Sequence, residues 1–424
     1  MEIKKKSQNV FKKSTTLTIL AILTIYLSSF NNLSAKSENF PKIFRDLKPG
    51  PYNIGFSIKH TYDYSRTFKN GSNSKGISTQ KKKFRPIQIL VWYPAKKIKN
   101  PKYMQYKNYI YSRATLLDFN TPESSKKQLA LKESKEMVFN KNIPGKREES
   151  IYKRILEKKV FAIRDAEPKP LSCPLIIVAP GSHTVSYVNA ALCEYLASYG
   201  YIVASNPSLG HFTKSMTMDF IGLEAQTRDL EFVISKMRTY PNVDYSKIAI
   251  VGYSWSGLAN VICAMRNTNI NAIVSLDGSI VMANRQNLLK ILPYYNPNSF
   301  DIPVMLFYAG LYGEKSPHDF SFYNSLKYSD AYLIQLKHLR HWHFGSNNIF
   351  LYMDTSFDKY AEGKKKVKIG YATMCKYTLN FLNAYLKKDN NAFTFLNNTI
   401  ESNKIPSGTI TIKSKKSKSK PLVN

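Results

Sequence analysis

The sequence predicts an α/β protein with a mostly parallel central sheet, helices on both of its faces and a partly helical insertion. Three observations carry this prediction: short continuous apolar runs bounded by Pro and Gly, amphipathic stretches between them, and alternation of the two from about residue 173 to 336. A continuous apolar run is the pattern of a strand buried on both faces, and parallel sheets are where both faces are covered. Strand, helix, strand in regular succession then favours one open sheet over separate layers.

Each element has its own signal. Residues 84–92, Phe-Arg-Pro-Ile-Gln-Ile-Leu-Val-Trp, alternate and are closed by Tyr93-Pro94, which predicts a strand. Residues 174–179, Pro-Leu-Ile-Ile-Val-Ala, run into Pro180-Gly181 and predict a fully buried one. Val188, Ala191, Leu192, Tyr195, Leu196 and Tyr199 then recur at helical spacing, with Gly200 where a left-handed cap belongs. A strand over 201–205 follows, then a helix marked by Leu223, Leu230, Val233, Ile234 and Met237, and a strand over 247–252. Leu258, Val261, Ile262 and Met265 mark the next helix, and 272–276, 304–308 and 332–336 are three further strands.

The flanks differ in character. Residues 1–35 combine a Lys-rich start, an apolar run over 17–27 and Leu33-Ser34-Ala35, the pattern of a cleaved export signal. The run is about half the ~20 residues a membrane-spanning helix needs, and no other long apolar segment follows, so a mature chain without a transmembrane segment, periplasmic or extracellular, is expected. Residues 36–83 are rich in Gly, Ser and Asn and read as a loop-rich segment. Residues 97–165 are highly charged, with a Pro144-Gly145 break, and read as the insertion. The Lys/Ser composition of 401–424 reads as a disordered basic tail.

The chain carries 62 Lys and Arg against 29 Asp and Glu, a net charge of +33. The basic residues are dispersed and accompany no zinc finger, helix-turn-helix or RNA-binding aromatic motif, so nonspecific attraction to anionic surfaces is expected and specific nucleic-acid recognition is not. Cys173, Cys193, Cys263 and Cys375 lack the paired close spacing of a zinc or thiol-redox motif. No metal site and no cofactor is expected.

The strongest chemical signal is Gly252-Tyr253-Ser254-Trp255-Ser256-Gly257 between a buried strand and a helix. That setting suits a tight turn that lifts a serine Oγ above a sheet, which makes Ser254 the candidate nucleophile. A nucleophilic serine needs oxyanion donors, a base and an acid that orients the base. The amides of Ser182, in the loop after the first core strand, and Trp255, directly after the serine, are the candidate donors. Asp277 ends the strand next in the chain, at the edge where such sheets place ligands, with Glu314 in reserve as the acid. The base is taken as His341, with His343 in reserve. His183, Tyr253 and Trp342 are expected to line the substrate.

Taken together, these segments resemble the α/β-hydrolases of the platelet-activating factor acetylhydrolase and dienelactone hydrolase kind. Residues 84–95 are similar to their opening R…WYP strand, 174–205 to their oxyanion loop and following helix, and 251–257 to their serine elbow. Leu276-Asp277 and His341 to Phe344 are similar to the acetylhydrolase acid pair and HxxF motif. This chain departs from the pattern at Tyr253, in place of His, at Ser256, in place of Gly, and at Pro180, in place of His. The resemblance implies an α/β-hydrolase catalytic domain over 84–400 and an esterase acting on a small-molecule or lipid ester. A silent polyanion-binding relative and a secreted peptidase or amidase are the alternatives.

Overall fold

Alternate residues of the buried strands must find apolar cover on opposite sides, and the fold supplies it with helices above and below one sheet. The protein is seen in a computed structural model that describes residues 47–68, 83–138, 149–214, 216–311, 318–346, 349–350 and 361–419. The strands are β1 (Asn53–Phe68), β2 (Lys83–Ala95), β3 (Ala162–Arg164), β4 (Cys173–Ala179), β5 (Ile202–Ser205), β6 (Val243–Tyr253), β7 (Ile270–Leu276), β8 (Val304–Ala309), β9 (Ala331–Leu336) and β10 (Ile410–Lys415). They lie in the order β10-β9-β8-β7-β6-β4-β5-β2-β1-β3. From β5 through β4, β6, β7 and β8 to β9 every pairing is parallel. β2 pairs antiparallel with β1 and β5, as β10 does with β9. This is the mostly parallel α/β sheet that the alternation predicts.

Eight helices accompany it among the described residues: α1 (Tyr106–Tyr111), α2 (Glu123–Val138), α3 (Glu149–Leu156), α4 (Ala190–Ser198), α5 (Phe220–Met237), α6 (Ser256–Arg266), α7 (Ala361–Lys387) and α8 (Asn390–Asn397), besides shorter turns. β4 illustrates the two-sided core. Its Ile176 and Val178 share a cluster with Leu196 of α4 and Leu382 of α7, whereas Leu175 and Ile177 pack with Leu230 of α5 and Val261 of α6. Each such side chain removed from water stabilises the fold by about 1.5–3 kcal/mol. Asp219 caps α5 by accepting from the Gly222 amide at 2.8 Å, worth about 1 kcal/mol.

Two expectations need correction. The segment over 36–83 is not loop throughout, because residues 53–68 form β1, paired with β2 from Asn53↔Ala95 to Asp63↔Arg85 and again at Thr67 and Phe68 beyond a bulge. Nor is 401–424 wholly disordered. The outer edge of β9 leaves backbone donors and acceptors open, and β10 closes it from Ile410↔Leu336 to Lys415↔Ala331, with Ile410 buried. The Ser417 amide extends this attachment by donating to Asp330 at 2.9 Å. The export-signal pattern over 1–35 lies outside the described residues.

The segment between β2 and β4 contains α1, α2, α3 and β3, and one buried carboxylate ties it to the core. Trp92 Nε1 donates to the Tyr109 hydroxyl at 2.8 Å, that hydroxyl donates to Glu194 of α4, and the Phe161 amide donates to the other Glu194 oxygen at 2.9 Å. Burial pushes the Glu194 carboxyl up to about 7, against the pull of these donors. A second buried charge group joins β2, α5 and the loop after β5. Arg85 meets Asp229 with two bonds of 2.6 Å and donates to the Gly210 carbonyl at 2.7 Å. Arg66 adds a further bond to the same carboxylate at 2.7 Å, and removing Asp229 would cost about 3–5 kcal/mol, because Arg85 would be left buried and uncompensated.

All four cysteines are free. Cys193 and Cys263 belong to the clusters on opposite faces of the sheet. Among the described residues, no helix is long and apolar enough to cross a membrane.

Candidate active site

The site forms where β6 turns sharply into α6. Ser254 sits on that turn with φ +58°, a left-handed conformation that a non-glycine residue adopts at a cost. Its backbone is held on both sides: the amide donates to the Leu276 carbonyl at 3.2 Å, and its carbonyl accepts from the Ser279 and Gly257 amides at 2.8 and 3.0 Å. Gly257 is where α6 passes closest to the next turn, since a Cβ there would stand 2.8 Å from Gly278 Cα. The glycine that the elbow requires is therefore one position later than in the usual pattern, and Ser256 is free for another task.

Ser256 is fully buried, and its hydroxyl donates to the Pro180 carbonyl. The same carbonyl accepts from Ser208 Oγ and from Gln226 Nε2, both at 2.8 Å. The elbow, the loop after β4, the loop after β5 and helix α5 thus converge on one acceptor. At the neighbouring position, a Cβ on Gly181 would lie 2.7 Å from Ser254 Cβ, so only glycine lets this loop run against the serine. Ser182 is the next residue of this loop. The Trp255 amide lies at the N-terminal end of α6, whose dipole favours negative charge. Among the described residues, neither amide donates to a backbone carbonyl.

Asp277 follows β7 with φ +47° and is fully buried. Its Oδ1 accepts from the Ala309 amide at 2.8 Å, and its Oδ2 lies 2.6 Å from His341 Nδ1. His341 opens a 3-10 turn (His341–Phe344), and its Nε2 lies 2.9 Å from Ser254 Oγ. An ionised carboxylate can only accept, so Nδ1 carries the proton and donates to Asp277, leaving the Nε2 lone pair to face the serine hydroxyl. The imidazole is partly open to solvent, 31% against 0% for Asp277.

Tyr253 is 6% exposed, which corrects its assignment to the substrate lining. Its ring stacks on that of His341 at 5.2 Å and 22°, and its hydroxyl donates to the His341 carbonyl at 3.3 Å. Burial and the Asp277 charge push its phenol pKa up, so it stays neutral. His343 is also displaced from its reserve role. It is buried, its Nδ1 accepts from the Arg340 amide at 3.0 Å, and burial together with Arg340 lowers its pKa to about 4. His183 is exposed with φ +56°, and Trp342 is half-buried under the Arg340 guanidinium. The Trp255 ring is buried in the opposite core, away from any lining. Glu314 lies outside the described residues.

Sequence reasoning missed the supports. Asn189 Nδ2 donates to the Phe344 carbonyl at 2.8 Å, and Ser346 Oγ accepts from the Ala191 amide at 2.9 Å, pinning the His341 turn to the start of α4. Gln226 carried a readable signal, because it falls on the apolar stripe of α5 between Leu223 and Leu230, where a polar residue needs a buried partner. Asn189 and Ser346 carried none, since their partners lie 155 residues away in the chain. Among the described residues no His, Cys, Asp and Glu cluster could hold a metal ion.

No family model matches the chain, and no curated protein matches it. Solved structures do. The chain is similar to a ferulic acid esterase from Streptomyces cinnamoneus, with a TM-score of 0.56 and 17% identity over 86% of this chain and 98% of that one. At that identity the likeness speaks to the fold, and the fold is that of the α/β-hydrolases.

Proposed function

We propose that the protein is a serine hydrolase of carboxylic esters, related in chemistry to the platelet-activating factor acetylhydrolase kind and exported after removal of residues 1–35. His341 Nε2 takes the Ser254 Oγ proton as Oγ attacks the ester carbonyl, and Asp277 holds the resulting imidazolium in place. The Ser182 and Trp255 amides receive the oxyanion, which needs donors already aimed where charge develops. Collapse expels the alcohol, protonated by His341. Water, deprotonated by the same nitrogen, then attacks the acyl-enzyme, releasing the acid and restoring Ser254. Every group this chemistry uses belongs to the chain, so it calls for no cofactor.

The observation that carries this reading is the unbroken relay from Ser254 Oγ through His341 to Asp277, at 2.9 and 2.6 Å. Short-chain or oxidised lipid esters, acetylated glycans and aryl esters, including phenolic esters of the kind named for the Streptomyces enzyme, are the substrate classes to try. The test is hydrolysis of p-nitrophenyl esters from acetate to palmitate, with fluorophosphonate labelling, by the wild type and by Ser254→Ala. Turnover and labelling that vanish in the variant are the expected result. A folded wild type that neither turns over nor labels would overturn the proposal, and amide turnover at a comparable rate would reassign it to the amidases.

A further inference from the structure

A cavity of about 490 Å³ opens on the far side of the sheet order from β10, between β1, the start of the insertion and β3. Three cations line it, Lys102, Lys126 and Arg164, with a single carboxylate, Glu123. Glu123 is already committed to Lys126 at 3.1 Å. Arg164 places its Nε on Asp165 at 3.1 Å and its guanidinium over the Phe56 ring at 5.4 Å, and Lys102 has no carboxylate within ion-pair distance among the described residues. Asn108 of α1 also lines the cavity, and because its Oδ1 accepts from the Gln105 amide at 2.8 Å, its amide NH₂ remains available as a donor.

His60 of β1 also lines the cavity. Its ring stacks on Phe119 at 4.5 Å and 23°, and its Nε2 lies 3.1 Å from Thr115 Oγ1. Burial and the fields of Lys126 and Arg164 lower the His60 pKa, so the imidazole remains neutral. The lining is thus rich in cations and partly polar, and its volume falls in the range of small-molecule sites. Four strand spacings separate β1 from β6, roughly 19 Å, so the cavity is distinct from the Ser254 site.

We propose that this cavity is a second binding site, for a small organic anion in which one phosphate, sulfate or carboxylate group is carried on a hydroxylated body of about one sugar unit. Lys102 and Arg164 take the anionic group, Asn108 takes a hydroxyl, and the His60 imidazole, held in place by its stack on Phe119, supplies a flat ring for the sugar to rest against. The overall charge of the protein attracts any anion weakly. A built site differs by saturating at one ligand per chain and by depending on these particular residues.

Titration calorimetry on the full chain, with glucose 6-phosphate, glucuronate, inorganic phosphate and uncharged glucose, tests this. Glucose 6-phosphate or glucuronate is expected to saturate at one per chain and to bind more tightly than inorganic phosphate, with glucose silent; which of the two is tighter identifies the anionic group. Lys102→Ala and Arg164→Ala should each weaken binding by about tenfold, as loss of a charge-assisted bond does. Lys365→Ala, an exposed lysine of α7, and Ser254→Ala should leave it unchanged. Equal weakening by Lys365→Ala, no saturable binding of any anionic probe, or inorganic phosphate binding as tightly as both sugar acids would overturn the proposal. All of these side chains are at the surface, so matching circular dichroism melts will separate lost binding from lost folding.

Discussion

Around Ser254 each partner is fixed, whereas around His60 three cations face one carboxylate that is already taken. Asp277 divides its two oxygens between the Ala309 amide and His341, and the Pro180 carbonyl collects three side-chain donors behind the elbow. Lys102 and Asn108 leave their donors open. The first arrangement suits chemistry, where groups aimed in advance need no reorganisation as charge develops. The second suits recognition, in which the ligand itself completes the hydrogen bonding.

The largest effect expected from breaking this contrast is at Asp277. Asp277→Asn keeps an acceptor for Ala309 but offers His341 a donor, which turns the imidazole so that Nε2 carries a proton toward Ser254. Ester turnover should fall by about 10⁴-fold, with sugar-acid binding at the His60 cavity untouched; a variant that keeps a tenth of wild-type kcat would show the relay to be idle. Next comes Gly181→Ala. The new Cβ forces the loop off the serine and carries the Ser182 amide with it, so kcat should drop by about 10²–10³-fold, and a change confined to KM would remove that amide from the mechanism.

Tyr253→Leu sharpens the comparison more gently. Loss of the stack on His341 should slow kcat by roughly three- to tenfold, the worth of one aromatic pair, while Tyr253→Phe, which keeps the ring, should stay close to wild type. The smallest effect on activity belongs to His343→Gln. The amide oxygen can still accept from Arg340, and kcat should hold within about twofold, against near-complete loss in His341→Gln. The same substitution tests proton linkage. His343 titrates near 4 in the folded chain against 6.5 ordinarily, so the unfolded state binds the extra proton between those values and stability falls as pH drops through that window. His343→Gln should flatten that part of a melting-temperature profile.

The parts legible in the sequence are those in which local pattern and global fold ask for the same thing. β4, β6 and β7 are apolar on both faces because both faces are covered, and Ser254, Asp277 and His341 each follow a strand at the same edge of the sheet. β1 was obscured because its apolar positions Ile54, Phe56 and Ile58 give way to a polar stretch from Lys59 to Asp63, whose backbone is nonetheless satisfied by β2. In β10, two isoleucines amid lysines were too few to outweigh composition, and the open edge of β9 decides that segment. Tyr253 was misjudged for a related reason. A residue beside a nucleophile can face the substrate or back the base, and only the path of the His341 turn distinguishes them.

Glu194 gives the molecule a joint that tightens in mild acid. Its carboxyl takes up a proton near pH 7 in the folded chain but near 4.5 once exposed. Between those values the native state holds a proton that the unfolded state has released, so unfolding becomes easier as pH rises, by on the order of 3 kcal/mol across the window. Above it, the full cost of an ionised carboxylate in the core falls on the seam between α4 and the Tyr109 and Phe161 segments. Amide exchange in that seam should therefore quicken from pH 5 to pH 8 beyond the intrinsic chemical rate, and Glu194→Gln should abolish the excess.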